Sequence, residues 1–173
     1  AGDTILTISG SSTAGTITGF DIVTGFAAGD GTNKSDILDV GGTGAKATAA
    51  AAVNGTDSSL QVDVSGTGTL IKSHSIASTG VVTFTENDTF GSGTAMVLAT
   101  QGDIAAAVQY LQGVDIGDAG MSVIIDVGTD NYIFTQGNDA GTNDLDQLVK
   151  LVGVQADTFI TTNATGSNDL MIA

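Results

Sequence analysis

The chain has 173 residues, 41% of them hydrophobic, with 19 acidic and 4 basic side chains and a formal net charge of −15. There is no Arg, and the basic residues are Lys34, Lys46, Lys72 and Lys150, so neutralising the phosphates of a nucleic acid is excluded and binding an anionic membrane surface is disfavoured. No Cys is present, which excludes disulfides and thiol chemistry, and no segment has the length and hydropathy of a membrane-spanning helix.

Short apolar or alternating runs separated by Gly, Asp, Asn, Ser and Thr dominate the sequence, the pattern of many short strands joined by tight turns. In chain order, strands are expected at residues 3–9 (DTILTIS), 21–26 (DIVTGF) and 37–40 (ILDV). Residues 45–54 (AKATAAAAVN) favour helix by their Ala content but offer no broad apolar face, so a short helix and a loop both remain open. Leu60, Val62 and Val64 alternate with Gln61, Asp63 and Ser65, as a half-buried strand does. Residues 70–76 and 81–85 follow as a hairpin, and residues 96–99 as a further strand. Ile104, Ala107, Val108 and Leu111 then fall at helical spacing, predicting one short amphipathic helix near residues 103–112. Thr100 or Asp103 is placed to cap its start and Gly113 to end it. Strands are expected again at 121–127, 132–136, 148–152 and 158–161. The fold class is therefore mainly β: an antiparallel sandwich or roll-like stack of short strands with one short helix. Residues 1–173 are expected to form one C-terminal β-rich domain, with 1–98 and 99–173 as sub-modules.

The acidity is nearly all Asp, with Glu86 the one Glu. Asp favours turns and caps, and its short carboxylate arm also suits calcium, a hard cation with oxygen ligands. Two acidic loops are candidates. The first carries Asp30, Asp36 and Asp39, with Asp21 across a strand pair; the second carries Asp139, Asp144 and Asp146. Flexible Gly and Asn residues in both allow backbone carbonyls to turn inward. Neither has the bidentate Glu of an EF-hand, so the competing reading is turn formation and solubility.

Catalytic chemistry has little to work with. His74 is the only His, and its neighbours Ser73 and Ser75 point to the opposite strand face, so no triad geometry follows and a surface or half-buried strand His is expected. One His and no Cys exclude the usual zinc sites. The Gly-rich stretches at 29–35 and 41–44 lack phosphate-loop spacing and are read as turns. A non-enzymatic protein is expected. Strands rich in Thr and Ala and poor in Lys present unguarded edges, which predicts self-association or edge-on docking to neighbouring domains.

Three segments resemble one family. Residues 16–40 (TITGFDIVTGFAAGDGTNKSDILDV) are similar to the exit from the calcium roll of RTX proteins, D-x-I-x-x-F-x-x-G-x-D-x-L-D-L, through Asp21, Val23, Phe26, Gly29, Asp36, Leu38 and Asp39. Residues 99–154 resemble the end of RTX-type S-layer proteins of the Caulobacter kind: an alanine-rich helix, a D-x-Y strand, an acidic loop and a strand ending in K-L-x-G. The terminal Asp169, Leu170, Met171, Ile172 and Ala173 look like the acid-then-apolar tail of type I secretion substrates. The calcium-binding nonapeptide repeat itself is absent. The resemblance implies an extracellular, cell-surface structural module, exported by a type I secretion apparatus and assembling with its neighbours, with calcium as its candidate cofactor. The alternatives are an adhesive or binding module of a secreted adhesin or filament, or the C-terminal domain of an RTX hydrolase.

Overall fold

A computed structural model of the chain describes residues 20–29, 36–39, 45–47, 62–64, 69–87, 93–114, 116–117, 119–137, 146–155, 158–160 and 169–172. In chain order the elements are β1 (Asp21–Thr24), β2 (Ile37–Asp39), β3 (Ala45–Lys46), β4 (Val62–Val64), β5 (Thr69–Ile71), β6 (Ser73–Ile76), β7 (Val81–Thr85) and α1 (Gln101–Gly113). After the helix come β8 (Met121–Val127), β9 (Asp130–Thr135), β10 (Gln147–Val152), β11 (Phe159–Ile160) and β12 (Asp169–Ile172). The protein is mainly β with one short helix.

A seven-stranded sheet runs β1-β10-β9-β8-β7-β6, with β3 also joined to β8. Pairs β6–β7, β8–β9 and β9–β10 are antiparallel, as expected, but β1–β10, β3–β8 and β7–β8 are parallel. The sheet is thus mixed. The physical reason is α1: it lies between β7 and β8 in the chain, and a crossover of that length lets two consecutive strands run the same way, which a tight turn cannot. A three-stranded antiparallel sheet, β11-β12-β2, and the hairpin β4–β5 complete the strands.

Strand alternation sorts the main sheet's side chains into two cores. Val82 and Phe84 of β7, Val123 and Ile125 of β8, Tyr132 and Phe134 of β9 and Leu148 of β10 join Ile104, Ala105, Ala107, Val108 and Leu111 of α1 in one cluster. The intervening residues Ile124, Ile133, Val149 and Leu151 face the other way and pack with Leu38, Phe159 and Ile172 of the small sheet. The result is three layers: α1, which also lies against β4 and β5, then the main sheet, then β11-β12-β2. Each fully buried Ile, Leu or Phe contributes roughly 1.5–3 kcal/mol by leaving water. The expected amphipathic helix is buried on most sides, since residues 103–108 and 110–112 are all buried.

The start of α1 is fixed by its sequence. The Thr100 hydroxyl accepts the Asp103 N–H at 3.2 Å, while Asp103 Oδ2 accepts the N–H groups of Thr100 and Ala99, both at 2.8 Å. Thr100 and Asp103 therefore cap the helix together as a reciprocal box. Strand polarity is handled in pairs. Ser73 bonds Thr85 at 2.9 Å and Ser122 bonds Thr135 at 2.7 Å, each across a register position, so hydroxyls buried in the sheet satisfy one another.

Gly80, in the turn between β6 and β7, has φ +94, and an added Cβ would stand 2.5 Å from the Phe159 ring; only Gly permits both the conformation and this approach of β11. Two sequence expectations change here. Residues 96–99 form no strand; Met96 N–H bonds Phe84 C=O once, and the chain then turns into the Thr100 cap. Residues 45–46 are strand rather than helix or loop, because Ala47 N–H and β3 pair with the start of β8. The expected strand at residues 3–9 lies outside the described residues.

Candidate functional site

The acidic positions singled out in the sequence have different fates. Asp21 opens β1 at the end of the main sheet and is exposed. Asp36 is exposed and closes a loop: its Oδ2 accepts the Ala27 N–H at 2.9 Å while its own N–H donates to Ala27 C=O at 2.8 Å. That two-way clasp is turn chemistry of the kind Asp performs without a metal. Asp39 lies in β2 with Asp169 directly opposite in β12. Asp30, Asp139 and Asp144 lie outside the described residues. Among the described residues, no three His, Cys, Asp or Glu side chains gather closely enough to hold a metal by themselves.

Asp146 stands apart. It sits just before β10, only 1% exposed. Its Oδ1 accepts the Gly137 N–H at 2.9 Å, and the side chain of Gln112, in the last turn of α1, also bonds the carboxylate. Burial pushes its pKa up, against the smaller opposing pull of those two donors. Nearby, Gln136 is clamped: its Oε1 accepts the Ile116 N–H and its Nε2 donates to Gly117 C=O, both at 3.0 Å. The end of α1, the end of β9 and the start of β10 thus meet in a cluster of hydrogen-bonded polar side chains. Gln112 and Gly137 were not legible as partners from spacing. The one hint was a Gln near the end of a helix whose other faces are apolar.

His74 is fully buried rather than at the surface or half-buried. Its Nδ1 bonds the Tyr110 hydroxyl at 3.0 Å, the two rings meet edge-on at 5.5 Å, and Tyr110 in turn meets Phe84 edge-on at 5.9 Å. Burial lowers its pKa to about 4, so the ring is neutral at pH 7. Ser73 is tied to Thr85 and Ser75 to Thr83, so neither hydroxyl is presented to the imidazole as a nucleophile.

On the surface, Lys150 bonds Asp130 at 2.7 Å, lowering the Asp130 pKa, and lies 5.5 Å from the Tyr132 ring. At the end of the main sheet Ile22 of β1, opposite Lys150, is 61% exposed, and Val152 of β10, two positions further on and opposite Thr24, is 37% exposed. A separate open groove of about 700 Å³ is lined by Thr69, Glu86, Asn87, Thr94, Met96 and Val97, among others. Residues 169–172 form the middle strand of the small sheet, paired on one side with β11 and on the other with β2, and Ile172 is completely buried. Among the described residues, no helix is long and apolar enough to cross a membrane. The chain matches no protein-family model and no curated protein.

Proposed function

We propose that this chain is a non-enzymatic structural module of an extracellular, RTX- and S-layer-like surface protein, which assembles through its sheet edge with copies of itself or neighbouring domains. The observation that carries the reading is β1. It ends the main sheet, and three of its four side chains are exposed, the apolar Ile22 among them. An edge strand of this kind, without Lys or Pro to guard it, is a template for pairing with another chain. The one His serves packing, and the Asp residues described outside the polar cluster serve a loop clasp, strand ends, the cap of α1 and an ion pair with Lys150, which fits a scaffold better than a catalyst. Export by type I secretion belongs to the same reading. In the folded chain residues 169–172 are enclosed between two strands, so a secretion channel reading them would act on the unfolded chain.

The test is sedimentation over a wide concentration range, comparing the wild type with Ile22→Lys. Self-association that Ile22→Lys weakens supports assembly through β1. A chain that stays monomeric at every concentration, with and without calcium, overturns it. The Thr69–Val97 groove then favours the second reading, a monomeric binding module of a secreted adhesin.

A further inference from the structure

The two strands that end the main sheet, β6 and β1, differ in how far they are covered. In β6, Ser73 and His74 are 0% exposed and Ile76 2%, so the outward backbone of these residues is covered within the chain. In β1, Asp21, Ile22 and Thr24 are exposed and Val23 is half-buried. Among its described residues the main sheet therefore offers one open end. Joining sheets head to tail needs two different open ends and continues without closing, whereas pairing one end with itself needs a two-fold axis and stops at two copies. The faces of β1 are fixed by its neighbours. Ile22 stands opposite Lys150, which stands opposite Tyr132 of the core under α1. Val23 points the other way and packs with the second core.

We infer that two copies of the chain pair β1 with β1, antiparallel about a two-fold axis through Ile22, so that one continuous sheet crosses a closed dimer. This rests on the assembly reading and adds to it the partner, the direction and the stoichiometry. A two-fold axis perpendicular to a sheet keeps each face on its own side, and residues directly opposite one another share a face. The axis must then pass through a residue rather than between two. Through Asp21 it would set two carboxylates against each other, which is destabilising. Through Thr24 it would carry Ile22 past the end of the partner strand. Through Val23 it would place Ile22 opposite a Thr. Through Ile22, the most exposed apolar side chain of the strand meets its own copy, and Asp21 stands opposite Val23 of the partner subunit. The Lys150 stem flanks Ile22 in the register, with its ammonium held by Asp130. Two chains of net charge −15 repel at long range, so added salt tightens this contact, whereas it would release a basic partner. A strand of four residues covers little area, which places the pair among weak, transient contacts.

Because the chain has no Cys, a single introduced thiol reports the register. Residues opposite one another on antiparallel strands have Cα atoms about 4.5–5.5 Å apart, within reach of a disulfide. Ile22→Cys, Asp21→Cys, Val23→Cys and, as control, Val97→Cys at an 87% exposed position are oxidised under mild conditions and their linked dimers measured on non-reducing gels. Ile22→Cys should link at least about tenfold faster than Val97→Cys, because pairing raises the local thiol concentration. An equal mixture of Asp21→Cys and Val23→Cys should link faster than either alone. If Val23→Cys proves unfolded, Ile22→Cys against Asp21→Cys, both at exposed positions, decides. In sedimentation the wild type should reach the mass of a dimer and no more, with a dimer fraction that rises from about 0.05 to about 0.5 M sodium chloride. Three results overturn the two-fold pair while leaving assembly through β1 standing: a mass that grows past the dimer and falls in Ile22→Lys; Asp21→Cys linking to itself as fast as Ile22→Cys; or association weakened by Ile22→Lys while Ile22→Cys links no faster than Val97→Cys. A chain monomeric at every concentration and salt, with Ile22→Cys no faster than the control, overturns both.

Discussion

Acidification below pH 6.5 should weaken this protein through His74. The imidazole is enclosed by Tyr110 and the core, and its pKa falls from 6.5 to about 4 because burial disfavours the charged ring. For a base whose folded pKa is depressed, the unfolded chain binds the proton first. Stability is therefore complete above pH 6.5 and is lost as pH falls from there toward 4. The slope within that window is about 1.4 kcal/mol per pH unit, and the full shift amounts to roughly 3 kcal/mol. Between pH 7.5 and 5 the loss is about 2 kcal/mol, a large share of a typical domain's margin.

Two opposing effects must be separated from it. Asp146 has the opposite sign: its folded pKa is raised, so protonation adds stability as pH falls through that value. Partial neutralisation of a chain with net charge −15 also relieves self-repulsion. Both persist in His74→Gln, which keeps a polar side chain near Tyr110 but cannot titrate. The assay is urea unfolding of both proteins at closely spaced pH values from 7.5 to 5. The wild type should lose about 2 kcal/mol more than the variant over that span. Curves that run parallel within experimental error would refute the buried, neutral His74.

Removing the capping carboxylate with Asp103→Ala leaves the Ala99 and Thr100 N–H groups without their acceptor and should cost about 1–3 kcal/mol in urea unfolding, more than Thr100→Ala at about 1 kcal/mol. Ile172→Ala, at a fully buried position in the middle strand of the small sheet, should cost about 2–5 kcal/mol and lower the thermal midpoint, whereas an exposed site such as Val97→Ala should change stability by less than about 0.5 kcal/mol. Refolding monitored by Tyr fluorescence should lack a prolyl-isomerisation phase of tens of seconds, because the chain has no Pro.

The local rules were legible in the sequence. Helical spacing at Ile104, Ala107, Val108 and Leu111 located α1, and Thr100 with Asp103 supplied its cap. Alternation located β7, β8, β9 and β10 to within a residue or two. What periodicity does not encode is which strands meet and in which direction. The parallel pairing of β7 with β8 depends on where the α1 crossover lands, and that of β1 with β10 on residues far apart in the chain. Burial of acids was equally hidden. Asp36 and Asp146 look alike in an acidic loop, yet one clasps Ala27 at the surface and the other lies under α1. The distinction is tertiary: it depends on Gln112 and Gly137, which approach Asp146 from the helix and from β9.

The same long-range pairings bear on how such a module would leave a cell. Register joins Asp21 to Val149 and Asp39 to Asp169, strands about 130 residues apart in sequence. Closing loops of that length costs chain entropy before any contact repays it, so these pairs form late and slowly compared with the adjacent β8–β9–β10 meander. Until residues 169–172 are available, β2 and β11 lack the strand that joins them, and Ile172 cannot fill its place in the second core. While β12 is engaged elsewhere the small sheet stays unformed, whereas the pairings of the main sheet do not include it. On the proposed reading, a secretion channel holding those residues would keep the small sheet from forming until export is complete. Without Pro to isomerise or Cys to oxidise, what then remains is the chain search itself.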